Sequence, residues 1–117
     1  MASFAPTDVE ICIVRGDSPV IPVQVQDSTG AALDITGGTF VMTVDPSDSP
    51  SDATNNLFAV NGTITDAANG RVQFQPTTVQ SDQSPGENQY DVQMDLNSSV
   101  RTILKGKFEI QQDITKA

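Results

Sequence analysis

A chain of 117 residues with 15 acidic and 6 basic side chains, a net charge of −9 and no histidine or tryptophan already excludes several classes of function. Nucleic acid and anionic membranes are captured by clustered lysine and arginine that displace counterions, and here the few basic residues are scattered apart from Arg101, Lys105 and Lys107. The length fits one domain able to bury a hydrophobic core without metal or disulfide staples, and the single cysteine, Cys12, leaves no intrachain disulfide.

Period-two alternation of apolar and polar residues runs through most of the chain and marks strands with one buried face. After a short N-terminal stretch carrying Phe4 and Pro6, "VEICIV" (9–14) places Val9, Ile11 and Ile13 on one side, and Cys12 within the run reads as a buried structural thiol. "VIPVQVQ" (20–26) turns Ile21, Val23 and Val25 inward. Pro22 has no N–H for a ladder, so this strand belongs at an edge or a bulge. "TFVMTVD" (39–45) is mixed, with both faces partly apolar. "GRVQFQ" (70–75) offers Val72 and Phe74. "QYDVQMDL" (89–96) alternates most cleanly, with Asp91 and Asp95 on a solvated outer face. "VRTILKGKFEIQQ" (100–112) gives Ile103, then Phe108 and Ile110. Turn residues separate these runs: Asp27-Ser28-Thr29-Gly30, Thr36-Gly37-Gly38, Asn61-Gly62, Asn69-Gly70, Pro85-Gly86 and Asn97-Ser98-Ser99. The two Asn-Gly pairs are hairpin signals. "TTVQSDQ" (77–83) supplies at most a short helical turn capped by Thr77 or Thr78. The acidic, Pro- and Ser-rich segment 45–56 reads as a long exposed loop. The expected organisation is one all-β sandwich domain over 9–113, with an N-terminal arm, 1–8, and a C-terminal tail, 114–117.

Reactive chemistry is sparse. Without histidine the usual general base, metal ligand and nucleophile partner are missing. Asp45, Asp48 and Asp52 lack the spacing of a calcium loop, and no glycine-rich phosphate loop is present. No catalytic, metal-binding or cofactor-binding residue is therefore assigned. No run approaches the length of a membrane span, and the first residues lack the pattern of a secretory signal, so the protein is expected to be made in a cytoplasm and to leave it only within an assembly. Arg15-Gly16-Asp17 is a receptor-binding tripeptide in other settings. Between two strands it reads as a turn, with Gly16 freeing the backbone and Asp17 or Ser18 bonding it.

The order of the motifs says more than any one of them. "RGDSPVIPVQVQDSTGAALDITGGTFVMTVDP", "DAANGRVQFQPTTVQSDQSPGENQYDVQMDL" and "VRTILKGKFEIQQDIT" follow one another over about residues 9 to 115. In this the chain resembles small tailed-phage structural domains similar to the N-terminal domain of baseplate upper proteins. Gly38 stands where such domains often carry a tryptophan, segment 45–56 reads as an insertion, and Asn88-Gln89 replaces a G-T-Y-like run. The resemblance implies an Ig-like antiparallel β-sandwich of about seven to eight strands. It also implies a non-enzymatic virion protein that docks tail, baseplate or fibre components in symmetric copies, its partners being other virion proteins rather than nucleic acid or membrane. A chain ending at Ala117 with no coiled coil or shaft is expected to hand its load to another chain. Phe4 and Pro6 in the arm, and Leu57 and Phe58 after the polar loop, are the candidate partner contacts, with core packing the competing reading for the last two. A capsid decoration protein on the phage head and a carbohydrate- or receptor-binding module remain alternatives. The second is weakened by a lone tyrosine and no tryptophan for sugar stacking.

Overall fold

The computed structural model describes residues 7–27, 29–47 and 56–114. Its strands are β1 (Thr7–Asp8), β2 (Ile11–Val14), β3 (Ile21–Gln24), β4 (Thr39–Asp45), β5 (Phe58–Asn61), β6 (Thr63–Asp66), β7 (Arg71–Phe74), β8 (Gly86–Leu96) and β9 (Ser99–Gln111). A 3-10 turn, Ala67–Asn69, leads into β7, and one helical turn, α1 (Thr78–Ser81), lies between β7 and β8.

Two sheets stack face to face. The larger runs from β1 and β2 through β9, β8 and β4 to β5, and the smaller is β3–β7–β6. β1 and β2 keep one register on β9, with Thr7 opposite Leu104 and Ile11 opposite Phe108. They are one strand interrupted at Val9 and Glu10, so the sandwich has eight strands. This division of strands between sheets is that of an immunoglobulin-type sandwich. The pairings are antiparallel with one exception, since β1 and β2 run parallel to β9. Thr7 and Asp8, grouped by sequence with the arm, are thereby the first rungs of the sheet.

Alternation explains which faces meet. Phe40, Met42 and Val44 of β4, Tyr90, Val92 and Met94 of β8, and Leu104, Phe108 and Ile110 of β9 are buried against Val72 and Phe74 of β7, with Val25 and Ile35. Phe108 sits at the centre, edge-on to Phe58 and Tyr90 with ring centroids 5.8 and 6.0 Å away. β9 changes phase midway. Val92 faces Leu104 but Gln93 faces Thr102, which leaves Ile103 as the extra residue of a β-bulge. Ile103 and Leu104 both turn inward, and the odd spacing from Ile103 to Phe108 is restored to one face.

The turn residues take different jobs. Asn97 and Ser98 both adopt positive φ, 53° and 64°, the two-residue hairpin loop that matches strand twist. Asn69-Gly70 closes the β6–β7 pair, with Gly70 in the left-handed region at φ 69°. Asn61-Gly62 departs from the hairpin expectation. β5 pairs with β4 and β6 with β7, so the chain crosses between sheets at Gly62. The glycine is needed there for space, because a Cβ would stand 2.8 Å from both Phe74 and Val72.

Two loops carry a pH dependence. The Asp27 carboxylate accepts from the Thr29 hydroxyl at 2.6 Å and from the Thr29 and Ala31 amides. Asp34 accepts from the Thr36 hydroxyl at 2.6 Å and its amide. The threonine hydroxyl bonds, then the amide bonds, hold both carboxyls below their ordinary pKa. Asp91 lies exposed on the outer face as expected, yet partial desolvation between its neighbours Thr43 of β4 and Lys105 of β9 pushes its pKa up. The signs oppose. The lowered pair adds stability above the unfolded pKa that is lost as pH falls through the folded value, whereas Asp91 favours the fold as pH falls through its raised value. A carboxyl NMR titration is expected to place Asp27 and Asp34 below, and Asp91 above, an exposed aspartate. Asp91→Asn is expected to raise the unfolding temperature at neutral pH and leave it unchanged in acid.

Candidate functional site

Arg15, Gly16 and Asp17 form a closed turn. The Asp17 amide donates to Val14 O at 3.1 Å, with Gly16 at φ 81°. Arg15 Nε donates to Asp82 Oδ1 at 2.8 Å, the Gly16 amide approaches Ser81 O at 3.4 Å, and the Ser81 hydroxyl donates to Asp17 O at 2.6 Å. All three residues are thus tied to α1 and the residue that follows it. α1 itself is set by a capping box, in which Thr77 Oγ1 accepts from the Gln80 amide and Gln80 Oε1 from the Thr77 amide. The ion pair is largely exposed and worth at most about 1 kcal/mol. Ser81 is fully buried. Ser81→Ala would leave the Asp17 carbonyl without that donor and is expected to cost about 1–2 kcal/mol, seen as a lower denaturant midpoint at unchanged slope.

α1 also reaches the opposite edge of the sandwich. Gln80 Nε2 donates to Ala59 O at 3.1 Å and Gln83 Nε2 to Leu57 O at 3.4 Å, on the outer side of β5. Of the two readings the sequence left for Phe58, the structure gives core packing: it is buried and packed edge-on against Phe108. Leu57 is half-buried and packs against the same core. Phe4 and Pro6 lie outside the described residues.

Cys12 corrects another expectation, because it is exposed. Ile11 and Ile13 take the inward positions of β2, which leaves Cys12 on the outer face beside Glu109, with Sγ 3.6 Å from Oε2. Local desolvation first, then the hydrogen bond to Glu109 and the charges of Glu109 and Glu10, hold its pKa above the usual thiol value, the reverse of a reactive cysteine. Asp45 is buried, with Oδ1 accepting from the Ser47 amide at 2.8 Å and Oδ2 without a partner among the described residues. Asp48 and Asp52 lie outside the described residues, and no three acidic or thiol groups converge among those described. A shallow groove of about 360 Å³ crosses the outer face of the small sheet, lined by Pro22, Gln24, Thr65, Arg71 and Gln73, with no aromatic ring.

The sheet edges differ in how they are closed. On β3 the Val25 amide donates toward β7, to Gly70 O. Alternation therefore turns the position of Pro22 outward, where its missing N–H blunts the edge. β5 is covered by Gln80 and Gln83, and β6 is broken by an irregularity between Ile64 and Asp66. Among the described residues the edge of β2 has no such device at Glu10 and Cys12, and only at its end is the Val14 carbonyl taken, by the Asp17 amide. The Val9 and Arg15 amides donate to Lys105 O and Gln111 O, each at 2.9 Å, so the backbone groups of residues 10, 12 and 14 point away from the sheet. Tyr90 Oη pins this strand at its break by donating to Val9 O at 2.6 Å. Nothing in the sequence distinguished this edge from the others, because edge and centre are decided by pairing partners far along the chain.

No protein-family model and no curated protein matches the chain. Sixteen solved chains are matched. One, Tim-1, is similar at 12% identity over 100% of both chains with a TM-score of 0.34, too low a likeness to bear on function.

Proposed function

We propose that this chain is a non-enzymatic structural protein of a tailed-phage virion, an adaptor that docks tail, baseplate or fibre components. The order of the sequence motifs supports the phage reading. The observation that carries the docking role is the contrast among edges: three are blunted, while among the described residues the edge beside Cys12 leaves the backbone donors and acceptors of Glu10 and Cys12 open. Such an edge is a template for strand addition by another chain. The sandwich around it, with its aromatic centre at Phe108, holds that edge in fixed geometry. Purified particles dissociated in steps, followed by mass spectrometry of each fraction, test the role. The chain is expected to leave with tail components. Release with capsid subunits would move it to head decoration, and absence from finished particles would overturn the proposal.

A further inference from the structure

The surroundings of the β2 edge specify what it can take. Cys12 stands in a cross-strand row with Glu109 and Glu87 on the outer face, and Glu10 is two residues earlier on the same strand face. Lys107 Nζ reaches Glu87 at 3.8 Å, whereas neither Glu10 nor Glu109 has a cation partner among the described residues. Between these carboxylates β2 itself, Ile-Cys-Ile-Val, carries no charge and no proline. Among the described residues, a strand laid against Glu10 and Cys12 therefore meets open backbone at those two positions, and three carboxylates against the single cation Lys107 on its outer side.

We propose that the edge around Glu10 and Cys12 binds an extended partner segment that presents lysine or arginine at alternate positions, pairing its backbone with residues 10 and 12 and its cations with Glu10 and Glu109. The inference rests on the docking role above and names the chemistry of the docked chain. A second copy of this protein is a poor occupant. Antiparallel pairing about Cys12 would bring Glu10 and Glu109 of two molecules, each of net charge −9, toward one another, and like charges across a pairing are unfavourable.

The full chain, labelled for amide hydrogen exchange by NMR, tests this with two probes: a short peptide alternating lysine with valine, and the same peptide with glutamate for lysine. The lysine peptide is expected to slow exchange at the Glu10 and Cys12 amides by about tenfold or more, less so in added salt, while the glutamate peptide leaves them unchanged. Cys12→Pro removes an N–H that the fold does not use, as Pro22 does in β3. It is expected to keep protection at Ile13 and lose the peptide effect. The pair Glu10→Lys with Glu109→Lys is expected to reverse the preference between probes. Lack of protection at Glu10 and Cys12, equal response to both peptides, an undiminished response in Cys12→Pro, or homodimerisation through this edge would each overturn the inference. The measurement uses isolated protein, so its failure stands apart from where the chain sits in a particle.

Discussion

Gly70→Ala is expected to be among the most damaging single substitutions in this domain, costing about 3–4 kcal/mol. Gly70 sits at φ 69°, and a Cβ built on it would lie 2.5 Å from Val25 O and 2.7 Å from Leu33 O. The left-handed conformation alone costs a side chain about 1–2 kcal/mol. Both contacted atoms are backbone carbonyls and cannot swing aside as a flexible side chain would, which adds overpacking of about 1–3 kcal/mol. Moving them also strains the bonds they anchor, since Val25 O accepts from the Leu33 amide at 3.0 Å and the Val25 amide donates to Gly70 O at 2.8 Å. A domain of ordinary stability, about 5–15 kcal/mol, keeps only a fraction of its margin after such a loss. Thermal unfolding is expected to drop by on the order of ten degrees. An unfolding temperature within a couple of degrees of the parent would show that the turn can rearrange around the methyl group.

Phe108→Ala is expected to cost about 3–5 kcal/mol, by a different route. The ring is fully buried, contacts Phe58 and Tyr90 edge-on, and ties the edge strand to the centre through Ile11, its partner in register. Its loss leaves a cavity whose walls, Phe58, Tyr90 and Ile11, stand on strands held in place by the ladder of the larger sheet, so they cannot simply collapse inward. Chemical denaturation is expected to show a lower midpoint, and amide exchange to quicken first along β2. A Phe108→Leu variant retains most of the volume and is expected to recover more than half of the loss.

The sandwich was legible because its strands are half-buried and alternate. Tyr90, Val92 and Met94 announced their own inward face, and so did Val72 and Phe74. Even the bulge left a trace, because Ile103 and Phe108 are five residues apart and an unbroken strand would place them on opposite faces. What alternation cannot encode is which strand lies beside which. Asn61-Gly62 looked like a hairpin because local chemistry permits one, whereas the pairing of β5 with β4 and of β6 with β7 made it a passage between sheets. Cys12 looked buried because an apolar run does not declare which of its two faces has a second sheet above it. Phe58 gave no sign of whether it pointed to a partner or to Phe108. Which edge stays open was hidden for the same reason, since it takes tertiary pairing to put Gln80 and Gln83 over β5 and to leave β2 outermost on β9.

The parallel run of β1 and β2 on β9 has a mechanical meaning. A pull that draws the start of β1 away from the end of β9 acts along the strands, so the rungs from Thr7–Leu104 to Val14–Gln111 are sheared together instead of being peeled open in turn. Forced rupture is then governed by one high barrier to sliding, and the domain resists tension applied across its ends far better than tension applied across its sheets.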